Sequence, residues 1–193
     1  MTHRISLLFH IWFILAVLAG YFGFTAQLHP PAPQLILFGL TGLLILCGLR
    51  IPAFRDWLMR QNWRIIPAIH LTRFVGLYFL ILYKEDRLPF AFAVPGGIGD
   101  IIVATLAALL LRAGNVVDRN PRIFLLWNII GLIDLLFVVI TAARIGMSRP
   151  DAISALLQIP LCLLPTFLVP ILLATHALGF AKVRQAMANQ PSN

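Results

Sequence analysis

The sequence predicts an all-α membrane protein, a bundle of six transmembrane helices. Hydrophobic residues make up 60% of the 193-residue chain and charged residues only 11%, whereas soluble domains carry about 25% charged residues. The apolar residues fall into six segments, each near the ~20 residues that a helix needs to cross a bilayer. The connections are too short for a second domain, so residues 1–193 are expected to form one integral membrane domain.

The six predicted spans are numbered in chain order. The first is expected to be a retained helix, because its apolar run is much longer than the roughly 7–15 residues of a signal-peptide core. The spans cover about residues 5–26, 34–49, 65–83, 97–112, 122–144 and 154–181.

The basic residues predict the orientation. Ten lie on the side of both termini: Arg4, Arg50, Arg55, Arg60, Arg64, Arg112, Arg119, Arg122, Lys182 and Arg184. Four lie on the opposite side: Lys84, Arg87, Arg144 and Arg149. Because cytoplasmic loops carry an excess of Lys and Arg, both termini are predicted to be cytoplasmic. The net charge of +8 is therefore interpreted as a topology signal, and a nucleic-acid partner is rejected.

Span three carries the first buried charge. Arg73 lies near its middle, and His70, three residues earlier, projects from a neighbouring position on the same helix face. Gly76, three residues later, leaves room beside them for another backbone. Arg73 keeps its charge under all ordinary conditions, so it requires a carboxylate, several carbonyls or a bound anion.

Span four is predicted to be discontinuous near Pro95–Gly97. The stretch from Leu88 to Gly114 is too long for one straight span and contains Pro95, Gly96, Gly97 and Gly99. Proline suits the first turn of a helix and glycine permits unusual backbone angles. We therefore expect a bend or re-entrant piece over about 88–96 and a helix from Gly97. Asp100 would lie in its first turn, where the macrodipole favours an anion, and would pair with Arg73.

Span five places Asp134 at its centre, with Asn128 and Gly131 before it and Thr141 seven residues later on the same face. Arg73 is the one obvious buried cation in the sequence and is already expected to pair with Asp100. Packing alone therefore explains a second buried carboxylate less easily. Desolvation favours the protonated form of a carboxyl group, and a protonatable carboxylate near the midplane is typical of proton-coupled transporters.

Span six contains Pro160, Pro165 and Pro170 at five-residue spacing. Prolines in a membrane helix free carbonyl groups and kink the helix, and neighbouring groups must then satisfy those carbonyls.

Three histidines form the other candidate site. His10, His70 and His176 are expected at similar depth on spans one, three and six, which permits a shared metal or haem. Histidine pairs stacked at two depths, as membrane cytochromes b have, are missing from the pattern.

Residues 73–107 resemble a pattern of small bacterial integral membrane proteins to which no activity is attached. An arginine-led helix is followed by a Leu-Pro turn and by P-[AG]-G-x-G-D at the start of the next helix. The matching residues are Arg73, Gly76, Leu88, Pro89, Pro95, Gly97, Gly99 and Asp100. The resemblance implies a bacterial cytoplasmic membrane and says nothing about substrate.

The sequence favours binding or permeation of a small ligand or ion at a buried polar site. Arg73, Asp100, Asp134 and His70 would form that site. Arg73 would hold an anionic group, and a carboxylate would carry a coupled proton. Gly97, Asn128 and Thr141 are expected to adjoin these residues. The expected partners are the lipid bilayer and a small ligand or proton.

Two alternatives remain open at this stage. One is a redox protein that binds haem or quinone near His10, His70 and His176. The other is a structural or assembly subunit whose polar residues only determine packing. No catalytic residue and no cofactor is predicted, and the sequence does not favour an enzyme.

Overall fold

The computed structural model describes residues 2–114 and 120–188, which are almost entirely helical and include no β-strand within these ranges. Arg119, which contributes to the predicted charge asymmetry, lies outside the described residues. The α-helices of this part are α1 (Thr2–Tyr21), α2 (Ala32–Arg50), α3 (Pro52–Arg60), α4 (Ile65–His70), α5 (Gly76–Lys84), α6 (Phe90–Arg112), α7 (Pro121–Ser148) and α8 (Val169–Ala188).

Shorter helical segments complete the described chain. Three are 3₁₀ segments, over Thr25–Gln27, Leu71–Val75 and Pro150–Leu157. A fourth, Leu164–Leu168, is π-helical.

Among the described residues, six helical stretches are long and apolar enough to cross a membrane: His3–Tyr21, Ala32–Arg50, Ile65–Lys84, Phe90–Arg112, Pro121–Ser148 and Leu164–Ala188. Helices suit a bilayer because they satisfy their backbone hydrogen bonds internally. The chain is therefore a multi-pass membrane protein, and the predicted six-span all-α fold is confirmed. Span six begins ten residues later than predicted, because residues 154–163 form part of the 3₁₀ segment and a turn.

The predicted break in span four is wrong. Helix α6 begins at Phe90, directly after the extended Pro89, and continues through Pro95 to Arg112. Pro95 is the sixth residue of this helix and removes only the hydrogen bond to the Ala91 carbonyl near the N-terminus. The 23 residues of α6 span about 34 Å at 1.5 Å per residue, which a bilayer accommodates as one helix.

Span three contains a break that was not predicted. Its α-helix ends at His70, the 3₁₀ segment Leu71–Val75 follows, and α5 begins at Gly76. A 3₁₀ stretch within a helix often marks a functional hinge or local strain. Arg73 lies in this segment, so the most costly charge of the bundle occupies the irregular part of its span.

The first turns of span six are irregular. One backbone carbonyl that loses its helical donor to a proline has another hydrogen-bond donor. Pro165 lies in the π-helical segment, and Pro170 is the second residue of α8. Pro170 lacks the N–H that would bond the Thr166 carbonyl in an α-helix. That carbonyl instead accepts a hydrogen bond of 2.9 Å from Trp12 Nε1, which fastens span one to span six.

Helix α3, between spans two and three, is a short amphipathic helix. Lys182, on α8, reaches its C-terminal end and donates to the carbonyls of Met59 and Gln61, each at 2.8 Å. A cation is favourable at a helix C-terminus, where carbonyls lack intrahelical partners. Lys182 therefore ties α3 to the bundle, a role that the sequence did not indicate.

A polar layer lies between two of the three apolar clusters of the described core. One core surrounds Phe79, Leu82 and Val138, and the other surrounds Phe124 and Trp127. Along span three and along span five, the buried polar residues fall between the members of these two cores. The buried polar and charged groups therefore lie at one level of the bundle, between these two cores.

Spans three and four approach each other at two glycines. A Cβ atom added to Gly76 would collide with the Gly97 carbonyl oxygen and lie 2.9 Å from Asp100 Cβ. A Cβ atom on Gly97 would lie 2.7 Å from the Gly76 carbonyl oxygen. Small residues allow such close backbone contact between membrane helices, and here the contact brings Asp100 to Arg73.

Replacement of Gly76 should therefore destabilise the protein. We expect Gly76→Ala to cost about 1–3 kcal/mol through overpacking against backbone, measured by thermal unfolding in detergent. The matched control is Gly39→Ala in α2, where an added Cβ meets nothing within 4 Å, and which should be neutral or slightly stabilising. Equal effects of the two substitutions would contradict the close packing of spans three and four.

Candidate functional site

Arg73 is the centre of the candidate site. Its side chain is 1% exposed, although it lies in a bundle of mainly apolar helices. An unpaired charge in such a place is very costly. The guanidinium group must therefore find acceptors on the neighbouring spans.

Three acceptors surround the Arg73 guanidinium group. Nε donates to Asp100 Oδ1 at 2.6 Å, and Nη1 donates to the Gly131 carbonyl at 2.9 Å. Nη2 donates to Asp134 Oδ2. Spans three, four and five therefore meet at one residue. We call Arg73, Asp100 and Asp134 the charged triad.

The structure brings together three of the four residues predicted for the ligand or proton site. The pairing of Asp100 with Arg73 follows the sequence expectation. Asp134, which was predicted in the same site but not as the first partner of Arg73, binds the same guanidinium group. The triad has a net charge of −1 when both carboxyl groups are ionised, so it is balanced only after uptake of one proton or one cation.

Glycines make room for this arrangement. The Asp134 carboxylate lies directly against the backbone of Gly99, where a Cβ atom would overlap it. Asp134 also keeps 16% of its side chain accessible, compared with 6% for Asp100. The two carboxylates thus differ in environment, and Asp134 is the more accessible.

The fourth predicted residue, His70, belongs to an adjacent polar cluster. Its ring centroid lies 4.5 Å from that of His176 on α8, and both side chains are completely buried. His70 Nε2 lies 3.1 Å from Thr175 Oγ1, and His176 Nδ1 lies 2.9 Å from Asn128 Oδ1. We call His70 and His176 the histidine pair.

The three residues predicted to adjoin the site have different positions. Asn128 is fully buried and holds the histidine pair rather than the triad. Gly97 is buried at the crossing of spans three and four. Thr141 is half-buried about two turns beyond Asp134, and none of the hydrogen bonds of the triad reaches it.

A site shared by all three predicted histidines does not form. His10 is exposed on α1, and its Nδ1 lies 2.6 Å from the Ser6 carbonyl of the same helix. Within the described ranges, no group of three or more His, Cys, Asp or Glu side chains is arranged to hold a metal ion. His70 and His176 are in direct ring contact, so a porphyrin between them would have to separate spans three and six.

A cavity of about 200 Å³ leads to the triad. Its walls are mostly apolar, and Arg73 and Asp100 contribute to its lining. It extends to the segments at 26–34 and 150–157, on the side opposite to both termini. The remaining wall is formed mainly by α2, by α7 and by the start of span six.

The sequence reasoning missed two residues of the site. Gly131 was noted only as a neighbour of Asp134, but its carbonyl binds Arg73 and its Cα faces His176. Gln34 lines the cavity, and its Oε1 is buried with no hydrogen-bond partner among the described residues. Gln34 could have been noticed in the sequence, because it is a polar amide at the start of an otherwise apolar span.

Substitutions in the triad should differ in their cost. Arg73→Leu leaves two facing carboxylates without a counter-charge and should cost about 3–5 kcal/mol of stability in detergent. Asp100→Asn or Asp134→Asn leaves Arg73 paired with the remaining carboxylate and should cost about 1.5–3 kcal/mol. The triple replacement by leucine should recover much of the loss, because no unpaired charge remains.

The control for this series is Arg144→Leu, an exposed position on α7, which should have little effect. If Asp100→Asn destabilised the protein as much as Arg73→Leu, Asp134 would not be a partner of Arg73.

Comparisons with known proteins identify a family and no activity. No curated protein and no solved structure matches the chain. A family model described as a domain of unknown function, DUF8737, matches residues 30–184, which include spans two to five, nearly all of span six, the triad and the histidine pair. The chain therefore belongs to the DUF8737 family.

Proposed function

We propose that this protein binds a small, mainly apolar ligand in the cavity that leads to Arg73 and Asp100, and that the triad exchanges a proton as the ligand binds. The observation that carries the proposal is the cavity itself: apolar walls with a charged group at the inner end. Ligand sites typically combine an apolar lining with a few polar groups that orient the ligand.

The charge of the triad favours a cationic or hydrogen-bond-donating polar group on the ligand. Arg73 already donates to Asp100, Asp134 and the Gly131 carbonyl. An anionic group would have to displace a carboxylate and would then face two negative charges. A cationic group would instead bring the net charge of the triad to zero, so the proposal replaces the anion expected from the sequence.

Gln34 supplies a second polar contact in the same cavity. Its Oε1 is an acceptor with no hydrogen-bond partner in the described part of the chain. A buried acceptor without a donor has an energetic cost that a ligand donor would remove. The cavity thus offers acceptors at Asp100 and at Gln34, with apolar wall between them.

Proton exchange follows from charge balance. A cationic ligand and a proton are alternative ways to neutralise the triad, so binding of the first should release the second. Such exchange is the basis of proton-coupled permeation, which we include in the proposal. The predicted orientation, with both termini cytoplasmic in a bacterial cytoplasmic membrane, would open the cavity on the outer side.

A pair of probes of equal length and opposite charge tests the ligand class. Hexylammonium should stabilise the protein against thermal unfolding, and hexanoate should not. At about ten times its Kd, a ligand adds about 1.4 kcal/mol of stability, which corresponds to a rise of a few degrees in Tm for a chain of this size. Stabilisation by hexanoate alone would contradict the proposed charge preference.

Two variants of α7 locate the binding. Ala143 lines the cavity, so Ala143→Phe should fill it and remove the stabilisation by hexylammonium. Ile140, one turn earlier, is 54% exposed, and Ile140→Phe should leave the stabilisation unchanged. Equal responses of the two variants would show that the probe binds elsewhere.

A further inference from the structure

Each imidazole of the histidine pair has one ring nitrogen without a hydrogen-bond partner among the described residues. His70, at the end of α4, and His176, on α8, are each 0% exposed, and their ring planes are inclined at 58°. Trp127 covers one side, with its ring 5.1 Å from that of His70. The pair is therefore sealed between the triad and the apolar core around Trp127.

Hydrogen bonds determine the tautomer of His70. The Thr175 hydroxyl donates to the Leu172 carbonyl at 2.8 Å, so its single proton is used. At the contact between His70 Nε2 and Thr175 Oγ1, the imidazole must then be the donor. His70 therefore carries its proton on Nε2, and its Nδ1 is a bare acceptor.

The same reasoning applies to His176. Asn128 Nδ2 donates to the His176 carbonyl at 3.1 Å, which places Asn128 Oδ1 against the imidazole. Because an amide oxygen only accepts, His176 Nδ1 must be the donor. His176 Nε2 is consequently the bare nitrogen of this ring.

Both bare nitrogens, His70 Nδ1 and His176 Nε2, are buried and have no hydrogen-bond partner within residues 2–114 and 120–188. Buried acceptors of this kind are rare and call for an explanation. Two basic nitrogens on contacting rings form a place that can accept one proton, and protonation of either nitrogen turns an unused acceptor into a donor.

Gly131 connects the pair to the triad. Its carbonyl accepts from Arg73 Nη1 at 2.9 Å. A Cβ atom on Gly131 would lie 2.8 Å from His176 Cε1 and 3.4 Å from Nε2. The imidazole thus packs on the same peptide segment that binds the guanidinium group, and only glycine allows this contact.

The charges of the two clusters balance with one additional proton. The charged groups near the pair are Arg73 from the 3₁₀ segment, Asp100 from α6 and Asp134 from α7. Lys182, further along α8, is bound to the Met59 and Gln61 carbonyls. With both carboxylates ionised and both imidazoles neutral, the five-residue group has a charge of −1, which low-dielectric surroundings disfavour.

We propose that the histidine pair is a second binding site for the proton of the charged triad, so that the five residues share one exchangeable proton. In the transfer, the O–H bond of an Asp100 or Asp134 carboxyl group breaks and an N–H bond forms on His70 Nδ1 or His176 Nε2. No electron is exchanged. This inference deepens the proposed function, since it identifies where the coupled proton goes on the side of the triad away from the cavity.

The test is nitrogen NMR of ¹⁵N-histidine-labelled protein in lipid bilayers across a pH series, without added ligand. The chemical shift distinguishes a bare ring nitrogen from a protonated one. In the wild type, one added proton should be shared between the two bare nitrogens as the pH falls, so that each nitrogen is protonated in part over the same pH range. The exposed His3, His10 and His29 are internal references.

Removal of one carboxylate tests the sharing. In Asp134→Asn, Arg73 and Asp100 balance each other, so protonation of the pair should require a pH lower by about one unit, the effect of a unit charge roughly 10 Å away at an effective dielectric constant near 20. The reference histidines should not change. If the Asp134→Asn variant does not fold, Asp100→Asn, which also removes one negative charge, is measured in its place.

An identical pH response of the pair in the wild type and in the variant would overturn the proposal, as would rings that remain in the two neutral tautomers throughout the series. Because no ligand is present, either result leaves the cavity proposal standing. Failure of hexylammonium to bind would in turn leave the shared proton standing.

Discussion

The charge of Arg73 in the apolar interior is the constraint on which the rest of the structure depends. The guanidinium group cannot lose its proton, and at 1% exposure it has almost no contact with water or headgroups. It must therefore be surrounded by acceptors, which come from span four and span five. Close approach of these helices requires glycine at the contacts, and the residues found there are Gly76, Gly97, Gly99 and Gly131.

Hydropathy alone was sufficient to predict the six spans, because a membrane helix must be apolar over a length set by the bilayer. The pairing of Arg73 with Asp100 was also predictable, since a permanent buried cation requires a carboxylate nearby. The continuity of span four was not predictable, because Pro95 and its neighbouring glycines are compatible both with a bend and with a continuous helix. Packing against span three decides between these two conformations, and the sequence pattern does not specify that packing.

The sequence placed Asp134 in the site of Arg73 and placed His70 at the depth of His176, but it could not determine that either pair is in contact. Each contact depends on how a helix is rotated about its own axis, and helices that are apolar all round carry little information on this rotation. Equal depth in the membrane was a necessary condition for the three histidines to meet. It was not sufficient, because His10 faces outward on α1 while the other two face the bundle interior.

The polar layer has different surroundings on its two sides. On one side a cavity with apolar walls reaches Arg73 and Asp100, and on the other side the sealed histidine pair packs against Gly131. The triad thus lies between the cavity proposed to bind a ligand and the histidine pair proposed to bind a proton. This order along the membrane normal is what the proposed coupling of ligand binding to proton exchange requires.

The most direct test of this account is a distance measurement by solid-state NMR in lipid bilayers, on protein labelled with ¹⁵N in arginine side chains and ¹³C in aspartate carboxyl groups. The account predicts that the carboxyl carbons of both Asp100 and Asp134 lie within roughly 4 Å of the Arg73 guanidinium nitrogens, as charge-assisted hydrogen bonds require. Asp100→Asn and Asp134→Asn should each remove one of the two signals. A single carboxyl carbon close to Arg73, with the other beyond hydrogen-bonding range, would contradict the charged triad.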